Sequence, residues 1–224
     1  AATAATIKPI GLRLIAKLRA YWATVIAFIA LTTPCIRLTT LKATKPVAIP
    51  VISFLGPKGT FTHEAANKMG DNLVPYCNIP AVLESVDNGE ASYGVVPIEN
   101  SIEGPVGITL DSLAHKFDLK IFKEIVIPIN QNLIVNPGTT MDDIKDVYSH
   151  SQAIAQCREF ILENNIQPHY AVSTANAAKS IIGDKSKAAI GNSKAAELYG
   201  LEIIKPNIQD TDNNETRFVV VSKD

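Results

Sequence analysis

The sequence predicts an α/β protein with parallel sheets, and three observations carry that expectation. From Val51 onward, short apolar runs alternate with amphipathic stretches of about ten residues, the pattern of βαβ units. Polar clusters stand repeatedly where an apolar run gives way to a helical pattern. No internal repeat or low-complexity tract breaks this alternation.

Residues 51–55 read as a short apolar strand that ends in Gly-Pro-Lys-Gly-Thr-Phe-Thr-His, and residues 63–69 as a helix. Residues 73–76 form a second strand. Pro80 opens a helix through Val86, proline being at home in a first helical turn. Residues 93–98 are a third strand, which stops abruptly in Glu99, Asn100 and Ser101. Glycines and a proline follow, then a helix over 107–115 patterned by Leu110 and Leu113. Residues 121–129 and 133–135 are rich in β-branched residues. Val147 and Tyr148 make a brief strand that runs into Ser149-His150-Ser151-Gln152 and a helix over 153–163. Residues 170–172 lead to Ser173, Thr174 and a helix through Ile182. Residues 188–190, a helix around Ala195 and a last strand over 217–221 complete the series.

A chain of 224 residues suffices for one large domain or two small lobes with a shared cleft. The net charge of −1 conceals an asymmetry: all 22 acidic residues lie at or after Glu64. Residues 51–224 carry 14 basic residues against those 22 acidic ones, a net of −8. An acidic body with scattered lysines argues against a nucleic-acid partner, whose phosphates need a basic face. Cys35, Cys77 and Cys157 are odd in number and far apart. They show neither metal spacing nor a disulfide framework, as expected of a reducing compartment.

Residues 1–50 use a different vocabulary. They hold seven basic residues and no Ser, Asn, Gln, Asp, Glu, His or Met. Residues 20–36 are uncharged between Arg19 and Arg37, at the lower limit for a membrane span, although Pro34 and three threonines weaken that reading. A basic, acid-free leader is the pattern of an organellar transit peptide. A signal anchor and an artefact of sequence assignment are the alternatives.

In an open α/β sheet, polar residues just past the carboxyl end of a buried strand face the crevice where ligands bind. Glu99, Asn100 and Ser101 stand at such a place. Asn and Ser are also good helix caps, and pattern alone divides the two readings evenly. Similar clusters recur at Lys58-Gly59-Thr60-Phe61-Thr62, at 149–152, at Ser173-Thr174 and at Asn192-Ser193. Helix N-termini converging on one crevice favour an anion. Little metal chemistry accompanies them, so the expected ligand is small and anionic, and a dicarboxylate suits it.

Several stretches, taken in order, resemble the catalytic domain of the prephenate dehydratase family over about residues 52–221. They are Gly56-Pro57-Lys58-Gly59-Thr60-Phe61-Thr62, the run from Gly94 to Gly104 around Pro97-Ile98-Glu99-Asn100-Ser101, and Tyr148-Ser149-His150-Ser151-Gln152-Ala153 with Gln156-Cys157-Arg158. Further on come Ser173-Thr174-Ala175-Asn176, Ala188-Ala189-Ile190-Gly191, Asn207-Ile208-Gln209-Asp210 and Glu215-Thr216-Arg217-Phe218. The resemblance implies a two-lobed α/β fold similar to type II periplasmic binding proteins, with the active site in the interlobe cleft. Lobe 1 would combine about 51–125 with 207–224, and lobe 2 would be about 126–206.

The implied reaction turns prephenate into phenylpyruvate, carbon dioxide and water in phenylalanine biosynthesis. Aromatisation of the ring drives it, so the resemblance implies no cofactor and no metal. The family's Thr-Arg-Phe motif maps onto Thr216, Arg217 and Phe218, with Thr216 as donor to the departing hydroxyl. An ordinary strand threonine is the plain alternative. Glu99, Asn100 and Ser101 match the family's Glu-Asn-Ser, with Asn100 a donor to a substrate carboxylate and Glu99 a catalytic proton partner or an anchor. Ser149 and Gln156 match substrate-binding positions, Gln156 lying about two helical turns beyond Ser149. Thr60, Phe61 and Thr62 would close the site from the first loop. Ser173 and Thr174 are weaker candidates because capping explains them. Arg217 is a carboxylate clamp by its chemistry, but strand alternation sets it opposite Thr216. His63 and His150 stand near helix starts and read as caps or packing.

Two departures from the family's pattern stand out: Gln131 where a histidine is common, and Ser151 where proline is common. The resemblance covers the catalytic domain without the regulatory ACT domain, so feedback by phenylalanine is not expected in this chain. A homodimer or larger homo-oligomer in the cytoplasm is expected; a transit peptide would place it in plastids, and a retained anchor at a membrane. Two other functions compete. One is an arogenate dehydratase giving phenylalanine directly; the other is a two-lobed dicarboxylate or amino-acid binding protein without turnover.

Overall fold

The central apolar runs become strands buried on both faces, because helices cover both sides of two separate sheets. The run at 121–129 instead becomes an edge strand with Ile121, Phe122 and Val126 exposed. The computed structural model describes residues 49–224, so the expectations for the basic leader lie outside the described residues. In chain order the first elements are β1 (Ile52–Leu55), α1 (Phe61–Asn67), β2 (Leu73–Tyr76), α2 (Ile79–Asp87), β3 (Tyr93–Asn100), β4 (Gly104–Pro105), α3 (Gly107–His115) and β5 (Lys120–Pro128). Then come β6 (Asn132–Val135), β7 (Asp146–Ser149), α4 (Ser151–Gln156), α5 (Arg158–Glu163), β8 (Gln167–Tyr170), α6 (Thr174–Ser180), β9 (Lys187–Gly191), α7 (Ser193–Tyr199), β10 (Glu202–Lys205) and β11 (Glu215–Ser222).

The first sheet runs β2-β1-β3-β11-β5, with β4 added to β3; the second runs β10-β6-β9-β7-β8. The chain is therefore a two-lobed α/β fold, as the resemblance implied. Phe54, Val95, Ile127, Phe218 and Val220 fill one face of the first sheet, and Val82, Leu83, Val96, Val219 and Val221 the other. Leu133, Val147 and Ile190 pack on one side of the second sheet, Ile134, Ala178 and Ala189 on the other. Among the described residues no helix is long and apolar enough to cross a membrane.

Neither sheet is purely parallel. β1 pairs in parallel with β2 and β3, but β11 lies antiparallel between β3 and β5. In the second sheet β6 is antiparallel to both β9 and β10. Apolar periodicity reports that both faces are buried; it carries no information on direction, which the crossings between lobes decide. β5 continues in the first sheet to Pro128, opposite Glu215. The first crossing thus occupies residues 129–131, a few residues beyond the boundary expected near 125.

Local differences have local causes. β3 reaches Asn100, two residues past Ile98, because β11 pairs with it there: Thr216 opposite Asn100 and Arg217 opposite Glu99. The single helix expected over 153–163 breaks at Cys157, where the Asp210 carboxylate accepts from the N–H groups of Arg158 and Glu159 at 3.0 and 3.2 Å and caps a new helix. α1 begins at Phe61 rather than 63, since Thr60 Oγ1 accepts from the His63 N–H at 3.2 Å as its cap. β10 was not read from sequence; it is a short edge strand with mostly exposed residues, which leaves little apolar pattern to find.

Gly94 shows how closely helix and sheet approach. A Cβ there would lie 2.9 Å from Val86 Cγ2, 3.1 Å from Val221 Cγ2 and 3.2 Å from Val82 Cγ1. α2 thus rests directly on the β3 backbone. Gly94→Ala should destabilise the fold by about 1–3 kcal/mol through overpacking, measured by urea denaturation; an unchanged midpoint would refute the close contact.

Candidate active site

Alternation along β3 and β11 sends Asn100 and Thr216 to one face and Glu99 and Arg217 to the other. The first face borders a cavity of about 780 Å³, within the roughly 300–1,000 Å³ usual for small-molecule sites. Its wall takes Thr60, Phe61 and Thr62 from the first loop and α1, Asn100, Thr216 and Phe218 from β3 and β11, and Gln131 from the crossing. The second lobe contributes His150, Gln152, Gln156, Ser173, Thr174 and Asn176. No carboxylate, lysine or arginine lines it among the described residues.

Asn100 is the hub. Its Oδ1 accepts from the backbone N–H groups of Ile102 and Glu103, closing the turn after β3. Its Nδ2 donates to Thr216 Oγ1 at 2.9 Å, Asn214 Oδ1 at 2.7 Å and the Glu215 carbonyl at 3.0 Å. That side chain is saturated, so Asn100 holds Thr216 rather than a substrate carboxylate as the sequence suggested. Asn214 Nδ2 donates in turn to Gln156 Oε1 at 3.0 Å, and Gln131 Nε2 donates to the same oxygen at 3.3 Å. Gln131 Oε1 and Gln156 Nε2 are buried without a partner, and both residues face the cavity wall.

Of the expected site residues, Thr60, Phe61, Thr62, Asn100, Gln156, Ser173, Thr174, Thr216 and Phe218 line the cavity. Two of these spend their hydroxyls on capping. Thr60 Oγ1 donates to the Pro57 carbonyl as well as capping α1, and Ser173 Oγ accepts from the Asn176 N–H at 3.0 Å while donating to its Oδ1.

Glu99, Arg217, Ser101 and Ser149 lie elsewhere. Glu99 is half exposed on the opposite face, 3.3 Å from Arg217, which also pairs with Glu124 at 2.8 Å. Neither the catalytic role expected for Glu99 nor the clamp considered for Arg217 fits that placement. Ser101 Oγ donates to the Asn213 carbonyl and accepts from the Glu215 N–H, pinning the entry to β11. Ser149 is fully buried and donates to the Ile190 carbonyl at 2.7 Å. The strand end buries it under its neighbour instead of opening it to the cleft.

Asn214 and Gln131 were missed as site residues. Asn214 stands two positions before Thr216, so alternation alone places both on one face. Gln131 was already marked by its departure from the family's pattern.

His63 supports the loop that borders the cavity. Its Nδ1 accepts from the Gly59 N–H at 3.0 Å, and its ring stacks on Phe54 with centroids 5.0 Å apart. Gly59 has φ +90, and a Cβ there would lie 3.4 Å from Ala175 Cβ and 3.5 Å from Ala195 Cα and Leu198 Cδ2 of the second lobe. Burial, then Lys194 and Lys58, push the His63 pKa down, while Glu197 pulls it up. Among the described residues, no group of three His, Cys, Asp or Glu side chains could hold a metal ion.

The sequence model of the family described as prephenate dehydratase matches residues 52–224. The Bacillus subtilis prephenate dehydratase is 39% identical over 183 residues, covering 77% of this chain and 64% of the relative. The Methanocaldococcus jannaschii prephenate dehydratase is 43% identical over 175 residues, covering 75% and 62%. The chain thus spans under two thirds of the length of these relatives. Among solved structures, a prephenate dehydratase from Arthrobacter aurescens, in complex with L-Phe, superposes with TM-score 0.70 at 37% identity, covering 78% of this chain and 60% of that one. A protein described as a novel type of quorum quenching acylase superposes with TM-score 0.71 at 30% identity, covering 78% and 64%.

The depressed pKa of His63 makes stability depend on pH. Folding disfavours the protonated ring, whereas the unfolded chain takes up a proton near the ordinary value of 6.5. This contribution is complete above that value and is lost as the pH falls below it. Glu64, raised by burial, works in the opposite sense further into acid. Between about pH 7.5 and 5.5 the melting temperature should fall, and His63→Gln should flatten that fall. Equal slopes in the two proteins would contradict this assignment.

Proposed function

The chain belongs to the prephenate dehydratase family, and on that premise we propose that it converts prephenate into phenylpyruvate, carbon dioxide and water. The observation that carries this reading is the hydroxyl of Thr216. It accepts a hydrogen bond from Asn100 on the cavity wall, which leaves its own hydrogen to donate to a ligand.

Prephenate carries a carboxylate and a pyruvyl chain on one ring carbon and a hydroxyl on the opposite carbon. When the bond to the carboxylate breaks, its electron pair enters the ring and the double bonds shift. The bond to the hydroxyl breaks at the far end. Carbon dioxide leaves from one side, and from the other hydroxide takes a proton from solvent and leaves as water. Negative charge therefore develops on the departing oxygen, and a donor aimed there lowers the barrier. Threonine is too weak an acid to surrender its proton easily. It acts as a fixed donor, and donation from Asn100 to Oγ1 polarises its O–H.

The two carboxylates of the substrate meet neutral donors. Gln156 Nε2 is buried and unpartnered, and α1, α4 and α6 begin at the wall with Thr60, His150 and Ser173 as caps. Closure of the lobes would exclude water and strengthen these dipoles. The working unit is proposed to be a homo-oligomer in the cytoplasm; free Cys77 and Cys157 accord with a reducing compartment. One structural neighbour is described as a quorum quenching acylase, and acyl transfer commonly uses a nucleophile activated by a base. Among the described residues no serine, threonine or cysteine side chain is hydrogen-bonded to a histidine ring, which favours the dehydratase.

Mixing the protein with prephenate and following phenylpyruvate absorbance in alkali tests the reading, with arogenate and an acyl amide assayed in parallel. Silence with prephenate at high enzyme concentration sinks it. Thr216→Ala should lower kcat by about 10²–10³-fold, with melting temperature and ligand binding retained; Thr216→Ser should keep most of the activity. Glu99→Gln should leave kcat/KM within about threefold, since an exposed ion pair contributes little. A large loss there would restore Glu99 to the machinery.

A further inference from the structure

A carboxamide alone has no certain orientation, because its oxygen and nitrogen are nearly alike. In this cleft the main chain removes the ambiguity. Asn100 Oδ1 accepts from two backbone N–H groups, those of Ile102 and Glu103, and its Nδ2 donates to the Glu215 carbonyl. Groups of known polarity thus fix which end is which. Since Asn100 Nδ2 also donates to Asn214, Asn214 must offer Oδ1 there and Nδ2 to Gln156. Gln156 must then answer with Oε1, which leaves its Nε2 unpartnered beside the cavity. At the other end of the series, Thr216 receives its bond and keeps its hydrogen.

Asn214 joins these two ends without lining the cavity. It is 3% exposed, and its carbonyl accepts from the Ile129 N–H at 2.8 Å. The residues on either side of it are pinned to Ser101. Its amide spans the gap between Gln156, on the second lobe, and Asn100, on the first.

We infer that Asn214 is a positioning residue that couples engagement of the substrate at Gln156 to the orientation of the Thr216 hydroxyl, acting through Asn100. The inference rests on the donor role of Thr216 proposed above. A carboxylate accepting from Gln156 Nε2 draws charge through the amide and strengthens the bonds behind it. Asn100 is thereby fixed with Nδ2 toward Thr216, so the hydroxyl meets a donor and keeps its hydrogen for the ligand once the second lobe has gripped it.

Asn214→Asp separates this role from simple structural support. The introduced carboxylate still accepts from Asn100 but cannot donate to Gln156, whose amide must turn and withdraw Nε2 from the cavity. Against wild type, kcat/KM at pH 8 should fall by about tenfold or more, and the ratio should recover several-fold toward pH 5 as the carboxyl regains a proton. A double-mutant cycle of Asn214→Ser with Thr216→Ala is the second measurement, and it serves alone if the aspartate variant folds poorly. Asn214→Ser should cost about tenfold in kcat by itself and less than about twofold in the Thr216→Ala background. A ratio flat across pH, or losses that simply add, would overturn the coupling while wild-type turnover of prephenate still stands. No turnover by wild type would overturn the functional reading and this inference with it.

Discussion

The chain enters the second lobe through residues 129–131 and leaves it through 206–214, and the two crossing segments are bonded to each other. The Ile129 N–H donates to the Asn214 carbonyl, the Ile208 N–H to the Gln131 carbonyl, and the Gln131 N–H to Gln209 Oε1. This double crossing sets where the chain re-enters the first sheet. β11 must start beside the end of β3 and run back antiparallel to it, so Thr216 comes to rest opposite Asn100. Every polar group on the cavity floor inherits its place from that register. A slip of one residue would send Thr216 to the far face and bring Arg217 to the cavity.

Burying so many amides is costly unless each is bonded, at about 1–3 kcal/mol for an orphaned group. The floor of the cleft meets that demand by sharing. Asn100 is served on both sides, Asn214 has a partner at each end, and Gln156 Oε1 takes two donors. Polar atoms left over in such a network call for an explanation. Gln156 Nε2 and Gln131 Oε1 are left over on two residues that line the cavity, and under the proposed function their partners come with the substrate. Thr60 and Ser173, which line the same cleft, spend their hydroxyls on capping their own helices.

The alternation of strands and helices was legible because buried strands and amphipathic helices carry strong periodic signals. Strand direction was not, since β11 reads alike whether it runs parallel or antiparallel to β3. The split at Cys157 depends on Asp210, more than fifty residues away, and no local pattern announces such a cap. At the site, Thr216 emerged from family resemblance, for an isolated strand threonine is unremarkable. Glu99, Ser101 and Ser149 attract notice because they are polar at strand ends. Their partners, Arg217, the residues flanking Asn214 and the Ile190 carbonyl, come from distant sequence. Asn214 could have been found by counting two residues back from Thr216.

A wall without lysine or arginine among the described residues suits a dianionic substrate better than first inspection suggests. In the proposed reaction one carboxylate must give up its bonding pair and depart as neutral carbon dioxide. A lysine or arginine clamped on that group would stabilise the ground state and weaken as the charge left, raising the barrier. Neutral N–H donors hold the carboxylate with a smaller penalty on its loss. At the opposite carbon the charge grows instead of fading, and there a fixed donor gains strength as the reaction proceeds. The donor proposed for that step is Thr216, which accepts from Asn100 and shares the wall with no carboxylate, lysine or arginine among the described residues. Arg217, one residue along the same strand, is kept on the other face by Glu99 and Glu124. The alternation of β11 thus places a donor in the cleft and holds a cation out of it.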